Sequence, residues 1–188
     1  MCGIAGYINL NNESANLNIL KSMTDVIAHR GPDGEGHWVD TNIAIGHRRL
    51  SIIDLSDAGT QPMISSDNRF ILSYNGEIYN YRELRNRLKE LGYLFKSNTD
   101  SEVVLYSLIQ WGEEALQLFN GMFAIAFYDK KKKKMLLARD RYGIKPLYYT
   151  KQNNVFCFGS EQKAILKNPK INIEIDNEGL IEYFTFQN

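Results

Sequence analysis

Two pairs of short apolar runs, each joined by a polar turn, constrain the fold of this sequence more than any other feature. One pair comprises residues 122–128 and 135–138, and the other comprises 147–150 and 155–158, joined at Asn153-Asn154. Apolar runs separated by a short turn-forming segment are typical of β-hairpins. Because a hairpin pairs its strands in antiparallel fashion, this half of the chain is incompatible with a doubly wound parallel sheet.

Apolar periodicity predicts the remaining elements. Short apolar runs bounded by turn residues indicate further strands at 3–8, 37–39, 43–53 and 70–74. Spacings of three and four residues indicate a helix from Leu17 to Ile27, ended by GPDG at 31–34, and a pair of helices around Leu88 and Leu105. Short helices are expected at 161–167 and 177–186. Helices grouped between runs of strands are typical of helical layers on antiparallel sheets, so we expect one α+β domain over residues 1–188.

The last predicted helix is rich in large apolar residues between 180 and 186. One interpretation is a terminal helix docked on the core of its own domain. The other is that the chain is cut from a longer protein.

The charge balance and composition exclude several classes of function. Lysine plus arginine and aspartate plus glutamate both number 22, which argues against nucleic acid or an anionic membrane surface as a partner. No segment approaches the ~18 apolar residues that span a bilayer, and the N-terminus does not resemble a secretory signal, so a cytoplasmic protein is expected. Three scattered histidines, His29, His37 and His47, lack the spacing of a metal site, and no metal is predicted.

Cys2 is the residue that most suggests chemistry. Removal of Met1 would leave a cysteine whose thiol and free α-amine together form a nucleophile with its own base. By itself a cysteine at this position is usually incidental. The other cysteine, Cys157, lies between two phenylalanines and is expected to be a buried apolar residue rather than a partner of Cys2.

A set of motifs in a fixed order accompanies Cys2. They are MCGIAG at 1–6, RGPDG at 30–34, HRRLSI at 47–52, QPM at 61–63, YNGEIYN at 74–80, DSEV at 100–103, GMFA at 121–124 and ARDRYGIKPLYY at 138–149. In this combination the chain resembles class II glutamine amidotransferase domains over nearly its whole length. The sequence around Leu50 and Tyr74 resembles that of glutamine-hydrolysing asparagine synthetases rather than that of the enzymes that make glucosamine phosphate or phosphoribosylamine.

The resemblance implies a fold and a set of roles. The fold would be the four-layer αββα sandwich of two antiparallel sheets found in N-terminal-nucleophile hydrolases. Cys2 would attack glutamine, and Asn75 and Gly76 would form the oxyanion hole. Arg49 would bind the α-carboxylate of glutamine, and Asp100, together with Glu77, would bind its α-amino group.

Each of these assignments has an ordinary structural alternative. Asn75-Gly76 is also a common turn dipeptide. Arg49 could be an unremarkable surface or interstrand arginine, and Asp100, which opens a predicted helix, could serve as its N-cap.

Two further motifs are expected to be structural. The five lysines at 130–134 follow an aspartate at a predicted hairpin, which favours a solvated turn over a nucleic-acid patch. The segment 139–149 is interpreted as scaffold.

In the family that the sequence resembles, ammonia passes to a second domain that uses ATP and magnesium to convert aspartate into asparagine. These 188 residues contain no pyrophosphate-binding loop of that domain, so no cofactor is expected for this chain. The expected partners are glutamine and a synthetase domain in the same full-length chain, and a homodimer is left open. The alternatives are a stand-alone glutaminase or amidase, a domain serving another acceptor such as a sugar, and a silent binding module that retains Met1.

Overall fold

The structure, a computed structural model, describes residues 1–50 and 59–186. Within these residues, nine strands form two sheets in which all paired strands are antiparallel. The first sheet has the order β2-β3-β1-β9-β8, and the second has the order β4-β5-β6-β7. The strands are β1 (Gly3–Asn9), β2 (Gly34–Asp40), β3 (Ile43–Arg49), β4 (Met63–Ile64), β5 (Phe70–Ile78), β6 (Gly121–Asp129), β7 (Lys134–Arg139), β8 (Tyr148–Gln152) and β9 (Val155–Gly159).

Six α-helices accompany the sheets in the described part of the chain. They are α1 (Leu17–Asp25), α2 (Tyr81–Glu90), α3 (Asp100–Trp111), α4 (Ala115–Leu118), α5 (Gln162–Ile165) and α6 (Asn177–Phe186). None of them is long and apolar enough to cross a membrane.

Apolar contacts divide the molecule into four layers. The two sheets face each other across a core that includes Ile4, Ile45 and Phe158 from the first sheet and Ile71 and Ala126 from the second. Helices α1 and α5 cover the outer face of the first sheet, while the paired helices α2 and α3 cover the second. The predicted α+β class and the αββα order of layers are confirmed.

Both predicted hairpins are present. Strands β8 and β9 are joined by Asn153 and Asn154, which have φ values of 45° and 59°. Two consecutive residues at positive φ match the turn whose twist suits a two-residue hairpin. The lysine run forms the β6–β7 turn, where Asp129 Oδ1 accepts from the N–H groups of Lys131 and Lys132, so the predicted solvated turn is confirmed.

Strand β5 is longer than its apolar run predicted, and the turn interpretation of Asn75-Gly76 is wrong. The strand continues to Ile78 because β6 pairs with it as far as Ile78↔Gly121. Gly76 fits this close pairing because an added Cβ would lie 2.4 Å from the Met122 carbonyl oxygen. Tertiary pairing therefore overrides a local turn preference. Strand β3 ends at Arg49, since Leu50 is no longer in a strand, and the rest of the predicted range, residues 51–53, lies outside the described residues.

The expectation that α6 docks on the core of its own domain is wrong. No residue of α6 is buried, and Ile181, Phe184 and Phe186 are each at least 65% exposed. Other helices already cover the outer faces of both sheets. The start of α6 is held locally, with the Asp176 side chain accepting from the Glu178 N–H.

Candidate active site

One cavity of about 310 Å³ brings together the six residues singled out in the sequence. They come from the start of β1, the end of β3, the second half of β5 and the first turn of α3, which meet at one side of the sandwich. The residues are Cys2, Arg49, Asn75, Gly76, Glu77 and Asp100.

Cys2 is half-buried and is held on both its backbone and its side chain. Its Sγ lies 3.3 Å from the Leu50 nitrogen, whose N–H donates to the sulfur. Its carbonyl oxygen accepts from Arg30 Nε at 3.0 Å, and Arg30 in turn pairs with Glu161 at 3.1 Å. The Cys2 thiol also lies 3.6 Å from the Leu50 carbonyl oxygen, so both backbone groups of Leu50 position the sulfur.

The Gly76 N–H lies on an open edge of β5. Along a strand, the backbone N–H and C=O groups of successive residues point alternately to its two edges. Tyr74 and Ile78 direct their N–H groups away from β6, to Gln61 Oε1 and Asp100 Oδ2 respectively. Gly76, midway between them, faces the same edge. Strand β4 pairs with β5 only as far as Leu72, so within residues 1–50 and 59–186 no strand covers this edge at Gly76.

The Asn75 side chain supplies a second donor without a partner. Asn75 is 1% exposed, and its Nδ2 makes no hydrogen bond in the described structure. A buried donor left unpaired costs about 1–3 kcal/mol, so such groups in native proteins need an explanation. Two hydrogen-bond donors on one short segment, beside a cysteine, form an arrangement suited to a negatively charged oxygen.

The Arg49 guanidinium lies beside Gly59, which is also close to Thr99. A Cβ built at Gly59 would be 2.5 Å from Arg49 Nη2 and 3.2 Å from the Thr99 methyl group. Gly59 therefore allows the guanidinium to reach the cavity from the end of β3. The interpretation of Arg49 as an interstrand arginine misses this position on the cavity wall.

Asp100 is buried and is bound by two donors from β5. Its Oδ2 accepts from Tyr74 Oη at 2.7 Å and from the Ile78 nitrogen at 3.0 Å. Burial raises the pKa of the Asp100 carboxyl, although these hydrogen bonds oppose the shift. Burial and the neighbouring Asp100 carboxylate also raise the pKa of Tyr74 well above 10, so the phenol remains a donor.

The alternative assignment of Asp100 as an N-cap is wrong. Thr99 occupies the N-cap position, and its hydroxyl accepts from the Glu102 nitrogen at 3.4 Å. Asp100 is the first helical residue, and its carboxylate is drawn towards β5 instead. Glu77, also on β5, is exposed at the cavity mouth.

Met1 and Lys145 are cavity residues that the sequence did not identify as such. Lys145 is 7% exposed, and its Nζ lies 3.4 Å from Met1 Sδ. The loop that carries it is organised by Asp140, whose Oδ2 accepts from the Lys145 nitrogen at 3.0 Å and the Phe123 nitrogen at 3.2 Å. The interpretation of 139–149 as scaffold fits Asp140, whereas Lys145 lies on the cavity wall.

Cys157 lies away from this cavity, as predicted. It is fully buried among residues of β1, α1 and α5, and burial raises the pKa of its thiol to about 12. In the described part of the chain, no group of three or more histidine, cysteine, aspartate or glutamate residues could hold a metal ion.

Comparison with known proteins gives consistent matches. Residues 1–188 match the family model described as a glutamine amidotransferase domain. The chain is 40% identical over 187 residues to glutamine-hydrolyzing asparagine synthetase 3 of Bacillus subtilis, and 42% identical over 190 residues to asparagine synthetase 1 of the same organism. These alignments cover 98% and 100% of the chain but 30% of each relative. The chain therefore spans about 30% of the length of the curated relatives it matches.

A solved structure shares the fold at lower identity. The glutamine phosphoribosylpyrophosphate amidotransferase from B. subtilis superimposes with a TM-score of 0.74 and 21% identity. The match covers 87% of this chain and 43% of that one. At this identity the likeness extends to the architecture of the two sheets and their helices.

Proposed function

Because the chain belongs to the family of glutamine amidotransferase domains, we propose that it hydrolyses glutamine to glutamate and ammonia with Cys2 as its nucleophile. The observation that carries this proposal is the open edge of β5. There Gly76 and Asn75, whose Nδ2 has no partner among the described residues, line the same cavity as Cys2.

The charges of the cavity suit a free amino acid. Arg49 offers a planar guanidinium to an α-carboxylate, and Asp100 and Glu77 offer carboxylates to an α-ammonium group. Peptide-bound glutamine lacks both of these charges. Selection of free glutamine would therefore come from its two charged ends, leaving the side-chain amide directed towards Cys2.

The reaction proceeds in two steps. The Cys2 sulfur attacks the δ-carbonyl carbon, and the negative charge that develops on oxygen is stabilised by Asn75 and Gly76. The Cys2 α-amine, acting through a water molecule, takes the thiol proton and returns it to the leaving nitrogen, so ammonia departs and a γ-glutamyl thioester remains. Water then cleaves the thioester, which releases glutamate and restores the thiol.

This chemistry requires removal of Met1. With Met1 in place, the nitrogen of Cys2 is an amide and cannot act as a base. The Met1 side chain also lies on the cavity wall, in contact with Lys145 Nζ. Processing would thus create the base and enlarge the space for substrate in one step.

In the full-length protein we propose that the ammonia is used for ATP-dependent synthesis of asparagine from aspartate, with ATP and magnesium bound by a separate synthetase domain. Support comes from the names of the two B. subtilis relatives, each about three times longer than the matched region. A cytoplasmic location is part of this proposal, while a homodimer remains a prediction.

Glutaminase activity of the processed chain tests the proposal. Mass spectrometry would first establish that Met1 has been removed. Glutamate release would then be measured beside a Cys2→Ala variant, with asparagine and γ-glutamyl peptides as competing substrates. Release of glutamate that the variant abolishes supports the assignment. No release from folded, processed protein carrying its synthetase domain would contradict it.

A further inference from the structure

The Gln61 side chain binds both backbone groups of Tyr74. The Tyr74 N–H donates to Gln61 Oε1 at 2.6 Å, and Gln61 Nε2 donates to the Tyr74 carbonyl oxygen at 3.1 Å. The same Nε2 lies 3.4 Å from Ser101 Oγ, in the first turn of α3. Gln61 is 5% exposed, so these bonds form away from solvent.

These bonds extend the β4–β5 ladder on the N-terminal side of β4. The pairs Ile64↔Ile71 and Met63↔Leu72 define the register, and two further steps would place Gln61 opposite Tyr74. Pro62, between them, has no N–H to contribute. A carboxamide carries the same donor and acceptor as a peptide group, so the Gln61 side chain takes the place of the next residue of the strand.

The backbone of Gln61 packs against the other sheet. A Cβ built at Gly36 of β2 would lie only 2.0 Å from the Gln61 carbonyl oxygen, which indicates very close packing. Gln61 thus connects β2 of the first sheet with two parts of the cavity wall, namely β5 and the start of α3.

The two bonds to Tyr74 control the segment that follows it. On the open edge of β5, Gln61 holds Tyr74 on one side of Gly76, and Asp100 holds Ile78 on the other. Strand β6 holds the other edge of β5, so these two side chains take the place of a second strand on the edge that the Gly76 N–H faces.

We propose that Gln61 is a positioning residue for the oxyanion donors, setting the Gly76 N–H and Asn75 Nδ2 relative to Cys2. This inference rests on the proposed glutaminase function. Gln61 does not need to touch the substrate, because it acts through the Tyr74 peptide. A displacement of about 1 Å at a reacting centre can reduce turnover by about 100-fold, so a bond two residues away can control the rate.

The test compares two variants of similar shape with a control on the same strand pair. Gln61→Met removes both bonds, and Gln61→Glu removes the donor but retains an acceptor. Ser65→Ala is the control, because Ser65 Oγ accepts from the Phe70 nitrogen at 2.9 Å at the far end of the β4–β5 pair. It should weaken the same ladder without affecting the cavity.

Four measurements are made on each processed protein: kcat and KM for glutamine hydrolysis, the rate of Cys2 alkylation by iodoacetamide, the melting temperature, and the amide NMR signals of Tyr74 and Gly76. We expect Gln61→Met to lower kcat at least about 10-fold while KM and alkylation change less than about 3-fold. The Tyr74 amide should exchange faster and the Gly76 signal should shift, and Gln61→Glu should show an intermediate effect. Ser65→Ala should lower the melting temperature yet leave kcat within about 2-fold of wild type.

Two results would overturn the inference. One is an unshifted Gly76 signal in Gln61→Met, and the other is an equal loss of kcat in Ser65→Ala at the same loss of melting temperature. A wild-type protein that releases no glutamate, while Gln61→Met still shifts the Gly76 signal, would contradict the glutaminase assignment and leave the structural role of Gln61 supported.

Discussion

Replacing Asn75 with leucine should move stability and activity in opposite directions. Asn75 Nδ2 is buried, and no described residue is its hydrogen-bond partner, so we treat it as an unsatisfied donor of the free protein. Leucine has a similar shape and removes that donor. Relief of an unsatisfied buried group contributes about 1–3 kcal/mol, and 1 kcal/mol corresponds to about 2–4 °C in the melting temperature of a chain of this size.

Activity should fall because the same donor is needed in the transition state. Loss of one oxyanion-hole donor costs about 2.7–4 kcal/mol, which corresponds to about 10²–10³-fold in kcat. We therefore expect Asn75→Leu to melt at least about 2 °C above wild type while releasing glutamate at least about 100-fold more slowly.

The assay pairs thermal unfolding with glutamate release on the processed chain. Asn168 provides a control away from the cavity, because its buried Nδ2 also makes no close hydrogen bond among the described residues, although it lies near enough to the Cys157 thiol to lower that thiol's pKa. Asn168→Leu should keep wild-type activity, with a smaller gain in stability because its Oδ1 accepts from the Lys170 nitrogen at 3.1 Å. The reasoning is refuted if Asn75→Leu loses activity and stability together, or if its activity stays within about 10-fold of wild type.

Three other perturbations give measurable outcomes. Gly59→Ala would place a methyl group 2.5 Å from Arg49 Nη2, so steady-state kinetics should show a KM for glutamine raised about 10-fold or more, with a smaller change in kcat. Burial raises the pKa of Asp100, so its carboxylate is protonated at a higher pH than that of an ordinary aspartate. As the solution is acidified, the KM for glutamine should therefore begin to rise at that higher pH. A KM–pH profile with no such rise would contradict an ammonium-binding role. Asp129 has its pKa lowered to about 2, chiefly by its hydrogen bonds with Arg69; its contribution to stability is present above the ordinary value of 3.8 and is lost as the pH falls towards 2. Asp129→Asn should thus lower the free energy of unfolding by about 2 kcal/mol at pH 7 and by much less near pH 2, as measured by urea denaturation.

Local pattern was sufficient for most elements of the fold. The Asn153-Asn154 turn, the spacing of Leu84 and Leu88, and the alternation of strands with polar turns each depend on neighbours within a few residues. Such patterns can be recognised without knowledge of the rest of the chain, and the corresponding hairpin, helix and strands are all present. Resemblance to a family then identified six residues that the structure places in one cavity.

Two errors occurred where a distant contact outweighed a local preference. Asn75 and Gly76 have the composition of a turn, yet pairing with β6 keeps them in a strand. Asp100 has the composition of an N-cap, yet Tyr74 and Ile78 draw its carboxylate away from that role.

The sequence by itself determined the antiparallel pairing of the hairpins, the class of the fold and the identity of the nucleophile proposed here, because these depend on short-range pattern and on motifs read in order. Only the tertiary structure decided three features of the described residues: Gly76 faces a strand edge that no described strand covers, Asn75 Nδ2 has no partner among them, and the Gln61 side chain pairs with Tyr74 where β4 does not reach. These features arise from the relative placement of two sheets and a helix. Packing of the two sheets and the helix brings together residues that are far apart in the chain, so their spacing along the chain does not predict that geometry.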